Sequence, residues 1–266
     1  MRVEVDGSTT NVAVHGPAPS RDRPAVLFLH GAGMDRSVWA LQAPRLGGRG
    51  LTSLVPDLPG HGRSPGEPLP SVEALAAFVW RLADGLDLSR LALVGHSMGA
   101  LIALAAAAAE PSRAERLVLI GGALALPVNA ALLTAARDAP ARAAGMIAGW
   151  GLGQRGGLSG GGLPGASLDG GVRALLTHSR PGVLHADLAA CNAYKDGPAA
   201  AARVTCPTLV LVGAEDRMAP PRRGRELGQA IPGAVVELVE GAGHMLMLEE
   251  ADAVTDALLR FLLPGP

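Results

Sequence analysis

A chain of 266 residues, 48% hydrophobic and 18% charged, has enough apolar material for a sizeable core and is too apolar to be disordered. Its formal net charge of -1 argues against a nucleic-acid binder, which needs a basic patch to displace counterions. Two cysteines, Cys191 and Cys206, are too few for a disulfide framework and lie in no metal-ligand spacing, so a reduced, cytoplasmic setting is expected.

The N-terminal stretch RVEVDGSTTNVAVHG alternates around DGS, as in a hairpin or a pair of antiparallel edge strands, and lacks a basic-then-apolar signal pattern. Short Val/Leu-rich runs follow at 26–31, 52–57, 91–96, 116–122, 208–213 and 235–241. Continuous apolar runs of this length suit strands buried on both faces of a parallel sheet. Helical spacing fills the intervals. SVEALAAFVWRLADGL, 71–86, opens on a capping Ser71, and MGALIALAAAAAE, 98–110, stops before Pro111. A closing helix is expected at 249–263. Strands alternating with helices predict an α/β fold, a mostly parallel, doubly wound sheet of about eight strands. Residues 91–109 carry no Asp, Glu, Lys or Arg. The GHSMG within them fits a strand turning into a helix, and no membrane span is predicted.

The alternation breaks between about Ala123 and Val204, where helical fragments at 129–150 and 172–194 flank a Gly-rich stretch at 151–171. These residues read as a helical insertion after the sixth strand, with 1–122 and 205–266 as the core. The Gly-rich centre has no lysine and no preceding strand, so it reads as a flexible connector and not as a phosphate loop.

Gly95-His96-Ser97-Met98-Gly99 fits G-x-S-x-G between an apolar strand and a helix. Such a turn exposes a serine hydroxyl at the carboxyl end of a sheet and aims the free N–H groups of the next helix at the same point. A serine needs a base, normally a histidine oriented by a carboxylate, and on this topology the order is serine, acid, histidine. His244 is the only histidine beyond residue 216. Asp216, in the loop after the 208–213 run, is the expected acid, with Glu215 the adjacent alternative. The oxyanion donors are expected to be the backbone N–H groups of Met98 and Ala32, with Gly33 as alternative to Ala32.

HGAG, PDLPGHGRS, GHSMG, GAEDRMAP and GAGHMLMLE occur in the order and context of the α/β-hydrolase fold-1 family, which the chain resembles over most of its length. The resemblance implies Ser97 as nucleophile, Asp216 as acid, His244 as base, no cofactor, and a lid at about 123–204. His30, His61 and Asp57 then brace loop backbones. Alternation turns His96 away from Ser97 into a structural hydrogen bond. His178, His185 and Asp187 form no zinc pattern and are expected on a helix surface or in packing. Met34, Trp39, Met146, Trp150, Met218 and Met245 fit either an apolar pocket or ordinary packing.

The expected function is serine-dependent hydrolysis of a small acyl ester, without cofactor or metal, by a monomer or homodimer. A lactonase, carbon–carbon bond hydrolase, perhydrolase or acyltransferase would use the same residues, and a non-catalytic ligand-binding protein could keep the fold.

Overall fold

In the computed structural model, residues 1–21, 23, 25–154 and 167–263 are described. Eight strands form one sheet: β1 Arg2–Val5, β2 Ser8–His15, β3 Ala25–Leu29, β4 Thr52–Pro56, β5 Leu91–His96, β6 Ala114–Ile120, β7 Thr208–Gly213 and β8 Val235–Val239. Their order is β1-β2-β4-β3-β5-β6-β7-β8. The expected hairpin is present: β1 and β2 pair antiparallel through Asp6 and Gly7, both at positive φ. β2 also runs antiparallel to β4, and every later pairing is parallel.

Side-chain alternation along each strand builds a core on either face. Leu27 and Leu29 of β3 face one cluster with Val72–Gly85 (α2) and Met98–Ala109 (α3), whereas Val26 and Phe28 face the other with Ala43–Gly48 (α1) and Ala251–Leu262 (α11). Ser71 caps α2 by accepting from Ala74 N–H. The alanine run of α3 lets that helix lie against β3, β5 and β6.

β8 departs from the two-faced burial expected of its sequence. Val235, Val236 and Leu238 are 51%, 37% and 42% exposed. β8 is the last strand of the sheet and pairs only with β7, so helices do not cover both of its faces.

Five described helices connect β6 to β7: α4 Ala130–Asp138, α5 Pro140–Gly151, α6 Leu168–His178, α7 Val183–Ala193 and α8 Gly197–Arg203. The helical pattern at 129–150 is broken at Ala139, because Pro140 has no N–H to continue the ladder and instead opens α5. The pattern at 172–194 is likewise interrupted at Arg180-Pro181-Gly182. α8 packs on α3, beside the sheet. Most of the Gly-rich stretch read as a connector, 155–166, lies outside the described residues. After β7 come α9 Pro221–Ala230 and, past β8, the short α10 Leu246–Glu249 ahead of α11.

Candidate active site

β5 ends at His96 and α3 begins at Met98, so Ser97 alone makes the turn, at φ 55° and ψ -115°. A non-glycine residue held there costs about 1–3 kcal/mol, sustained by the surrounding packing. The flanking glycines show what that packing demands. A Cβ on Gly95 would sit 2.0 Å from the carbonyl oxygen of Gly99, and one on Gly99 would sit 2.2 Å from that of Leu29. No side chain fits at either place.

The turn directs Ser97 Oγ to His244 Nε2, 2.9 Å away, and His244 Nδ1 lies 2.8 Å from Asp216 Oδ2. Since the carboxylate only accepts, Nδ1 carries the proton and Nε2 is left to accept from the serine hydroxyl. Asp216 and His244 are buried. Burial alone would push the Asp216 carboxyl up. The charge and hydrogen bond of His244, with N–H bonds from Ala219 and Met218, outweigh it and hold the group below its ordinary range. Glu215 is not part of this chain of bonds; its Oε2 accepts from Gln154 N–H at 2.6 Å.

The backbone N–H groups of Ala32 and Met98 donate to no acceptor among the described residues. Gly33 N–H, by contrast, donates to Asp187 Oδ2 at 2.7 Å. Of the two loop donors expected from the sequence, only Ala32 is left to face a ligand. Ala32, Ser97 and His244 line a cavity of about 350 Å³. Trp150 and Met218 also line it, whereas Trp39 is buried against Phe28 and Met245 is buried in the same core cluster. Met34 belongs to that cluster too, and the partly buried Met146 packs against it.

Three other histidines, His96, His30 and His61, are buried and tie loop backbones around the site. His96 Nε2 donates to the His244 carbonyl at 2.9 Å and so braces the loop that carries His244. Burial and the neighbouring His244 lower its pKa to about 3, which keeps the ring neutral. His30 accepts Leu58 N–H on Nε2 and faces the Gly31 carbonyl with Nδ1, tying the loop after β3 to that after β4. Burial, with His61 beside it, holds His30 well below the usual histidine value. Asp57 accepts from the backbone of Arg36 and Arg63 and from the Arg36 guanidinium.

Asp187 lies in the packed interior and not on the helix surface, the other place expected for it. It is 1% exposed, and besides Gly33 N–H its Oδ2 meets His61 Nε2 at 2.8 Å. The other nitrogen of His61 faces the Pro59 carbonyl at 2.9 Å. Both neighbours accept, so the ring is satisfied best as an imidazolium donating from both nitrogens. Burial disfavours that charge, but the hydrogen bond and charge of Asp187 with the carbonyls of Pro59 and Leu58 raise the pKa. α7 is thereby fastened to the glycine turn after β3. His178, by contrast, is exposed and His185 is half-buried.

Glu249 is a second residue that local patterns did not single out. Its Oε1 accepts from Gly243 and Met245 N–H, and its Oε2 accepts from Gly153 N–H. The carboxylate clasps the loop on both sides of His244 and joins it to the end of α5. Its pKa is raised by burial, against the pull of those three N–H bonds. The only hint in the sequence was an acid five places after the histidine. Among the described residues, no cluster of three or more His, Cys, Asp or Glu side chains is arranged to hold a metal ion, and no helix is long and apolar enough to cross a membrane.

Comparison with known proteins agrees with this architecture. The chain is 32% identical over 246 residues to a pimeloyl-[acyl-carrier protein] methyl ester esterase of Chromobacterium violaceum, covering 90% of this chain and 94% of that one. It is 28% identical over 272 residues to a magnesium-chelatase 30 kDa subunit of Rhodobacter capsulatus, covering 93% and 88%. The crystal structure of an enol-lactonase from Burkholderia xenovorans superimposes with a TM-score of 0.87 at 28% identity, covering 98% of this chain and 99% of that chain. Residues 26–257 match the model of the alpha/beta hydrolase family, and the chain belongs to that family.

Proposed function

We propose that this alpha/beta hydrolase is a serine hydrolase that cleaves small ester-like acyl substrates through an acyl-enzyme. The observation that carries the reading is the unbroken chain of hydrogen bonds from Ser97 Oγ through His244 to Asp216. Ser97 Oγ attacks the carbonyl carbon as His244 Nε2 takes its proton, and Asp216 stabilises the imidazolium that forms. The carbonyl oxygen, now negative, is received by the N–H groups of Ala32 and Met98. Losing one such donor typically costs about 3–4 kcal/mol of transition-state stabilisation. His244 then gives its proton to the departing alcohol oxygen as the ester C–O bond breaks. Water, deprotonated by the same histidine, releases the acid and restores Ser97.

We also assign the described helices α4 to α7 of the 123–204 insertion the role of a lid, since Leu132 of α4, Trp150 of α5 and Leu188 of α7 all wall the cavity. The names of the esterase and enol-lactonase relatives support ester-type chemistry. A lactone presents the same ester bond in a ring, so lactone opening is the second reading, favoured by the enol-lactonase likeness over nearly the whole chain. A purely binding role is disfavoured by the strained serine turn, whose cost brings no benefit to a protein without turnover.

The test is pH-stat hydrolysis of short acyl esters and lactones. Wild type turns over at least one class, and Ser97→Ala lowers kcat by about 10⁴-fold or more. Turnover undiminished in Ser97→Ala overturns the assignment.

A further inference from the structure

Apart from the reacting groups, the cavity above Ser97 is walled mainly by apolar side chains, among them Leu126, Val128, Leu132, Trp150, Leu188 and Met218. Of its other polar residues, Asn129 accepts Ala131 N–H on its side-chain oxygen at the start of α4. The Cys191 thiol is pushed up by burial, with Asp187 adding to the effect, and stays protonated. One charged side chain remains, Arg217.

Arg217 directly follows Asp216, in a turn that the carboxylate itself fixes by accepting Met218 and Ala219 N–H, each at 2.8 Å. The turn sets Arg217 next to the acid that orients His244, with its side chain exposed at the cavity wall. One of its terminal nitrogens donates to the carbonyls of Gly149 and Leu152, at 2.5 and 3.1 Å, which steadies the head against the end of α5. No carboxylate among the described residues pairs with it. Two acids, Glu215 and Asp169, share with Arg217 the wall of a neighbouring hollow, but not of this cavity. Both are engaged elsewhere, Glu215 with Gln154 N–H and Asp169 with Arg173. Arginine keeps its charge at any pH an enzyme meets, and its planar fork of donors matches a carboxylate two-to-two. A phosphate would call on further cationic donors, and this cavity has none among the described residues.

We propose that Arg217 receives a carboxylate carried by the substrate, so that the favoured substrate is a half-ester, or a lactone, that bears one free carboxylate. The inference rests on the serine-hydrolase reading and adds a substrate class to it. Chemistry at the scissile bond is unchanged: water cleaves one ester C–O bond to give an alcohol and an acid, and the second carboxylate takes no part. Its contact involves no bond that forms or breaks, so it raises kcat/KM through binding.

The experiment compares monomethyl half-esters of succinic, glutaric and adipic acids with their isosteric neutral carboxamide methyl esters, by pH-stat. In wild type, kcat/KM for the half-ester of best length exceeds that of its carboxamide by about 2- to 10-fold, the span expected of a charge pair that solvent still screens. The ratio falls as NaCl is raised from about 20 mM to about 500 mM. In Arg217→Gln it drops to about one, and in Arg217→Lys part of it survives. Each ratio is taken within one protein, so a general loss of activity cancels, and the wild-type ratio and its salt dependence stand even if a variant fails to fold. A wild-type ratio of one or below at every length, or a ratio kept in Arg217→Gln, overturns the inference. So does failure to turn over any half-ester while Ser97 still reacts with a fluorophosphonate. Absence of both turnover and Ser97 labelling removes the serine-hydrolase reading itself.

Discussion

Replacing Asp187 with alanine removes the acceptor shared by His61 Nε2 and Gly33 N–H, in a place where both members of the ion pair are about 1% exposed. The loss leaves a buried imidazolium and a buried amide without partners, which costs about 3–5 kcal/mol. For a chain of this size that corresponds to a fall in Tm of about 6–20 °C. The deficit depends on pH. Folding raises the pKa of His61. The stabilisation it supplies is therefore complete below the unfolded histidine value and is lost as pH climbs through the raised folded value. The gap between wild type and Asp187→Ala is consequently widest near about pH 6 and narrows toward about pH 9. Asp187→Asn behaves differently. Its amide can accept Gly33 N–H and donate to a neutral His61, so it recovers stability toward alkaline pH more fully than alanine does. Gly33 adjoins Ala32, so both variants are also expected to lower kcat more than they change KM. Urea unfolding at a series of pH values reads the stability. A deficit in Asp187→Ala below about 0.5 kcal/mol, or one equal at both ends of the range, refutes the reasoning.

Three further outcomes are expected. Asp216→Asn preserves the geometry but lets His244 adopt the wrong tautomer, so kcat falls by about 10⁴-fold with little loss of stability; a loss under about tenfold would count against the role assigned to Asp216. Gly99→Ala drives a Cβ to 2.2 Å from the Leu29 carbonyl oxygen and is expected to destabilise the fold by about 3 kcal/mol or more, since backbone must shift; calorimetry within about 1 kcal/mol of wild type would contradict it. Glu249→Gln can accept Gly243 and Met245 N–H on its amide oxygen, but its NH2 cannot accept Gly153 N–H, so the clasp to the end of α5 is lost and kcat is expected to fall by about tenfold through looser placement of His244; unchanged kinetics would show that the loop holds itself.

How much of this was legible in the sequence follows from the range of each interaction. The elbow could be read from five residues, because its glycines answer to clashes within the strand-turn-helix unit and with one adjacent strand. The strands were legible because burial on both faces imposes a continuous apolar run. β8 misled for the complementary reason: its run resembles the others, yet nothing local records that it stands last in the sheet. Pro140 marked the break in the helical pattern at 129–150, and a periodicity reading passed over it. Asp187 and His61, 126 residues apart in sequence, meet only because α7 lies over the turn after β3, where a Cβ on Gly33 would strike Leu184 at 2.7 Å. No spacing rule could join them. Arg217 stood beside the expected acid in GAEDRMAP, but its place in the cavity wall depends on the carbonyls of Gly149 and Leu152 at the end of a helix far away in sequence.

The central claim is that His244 makes the Ser97 hydroxyl an attacking group. It is tested most directly by reacting the folded protein with a fluorophosphonate and mapping the adduct by mass spectrometry. One phosphonyl group on Ser97 is the expected result, with the rate of labelling collapsing in His244→Gln. Folded protein that stays unlabelled, or a label on Ser97 that forms as fast without the imidazole, would contradict it.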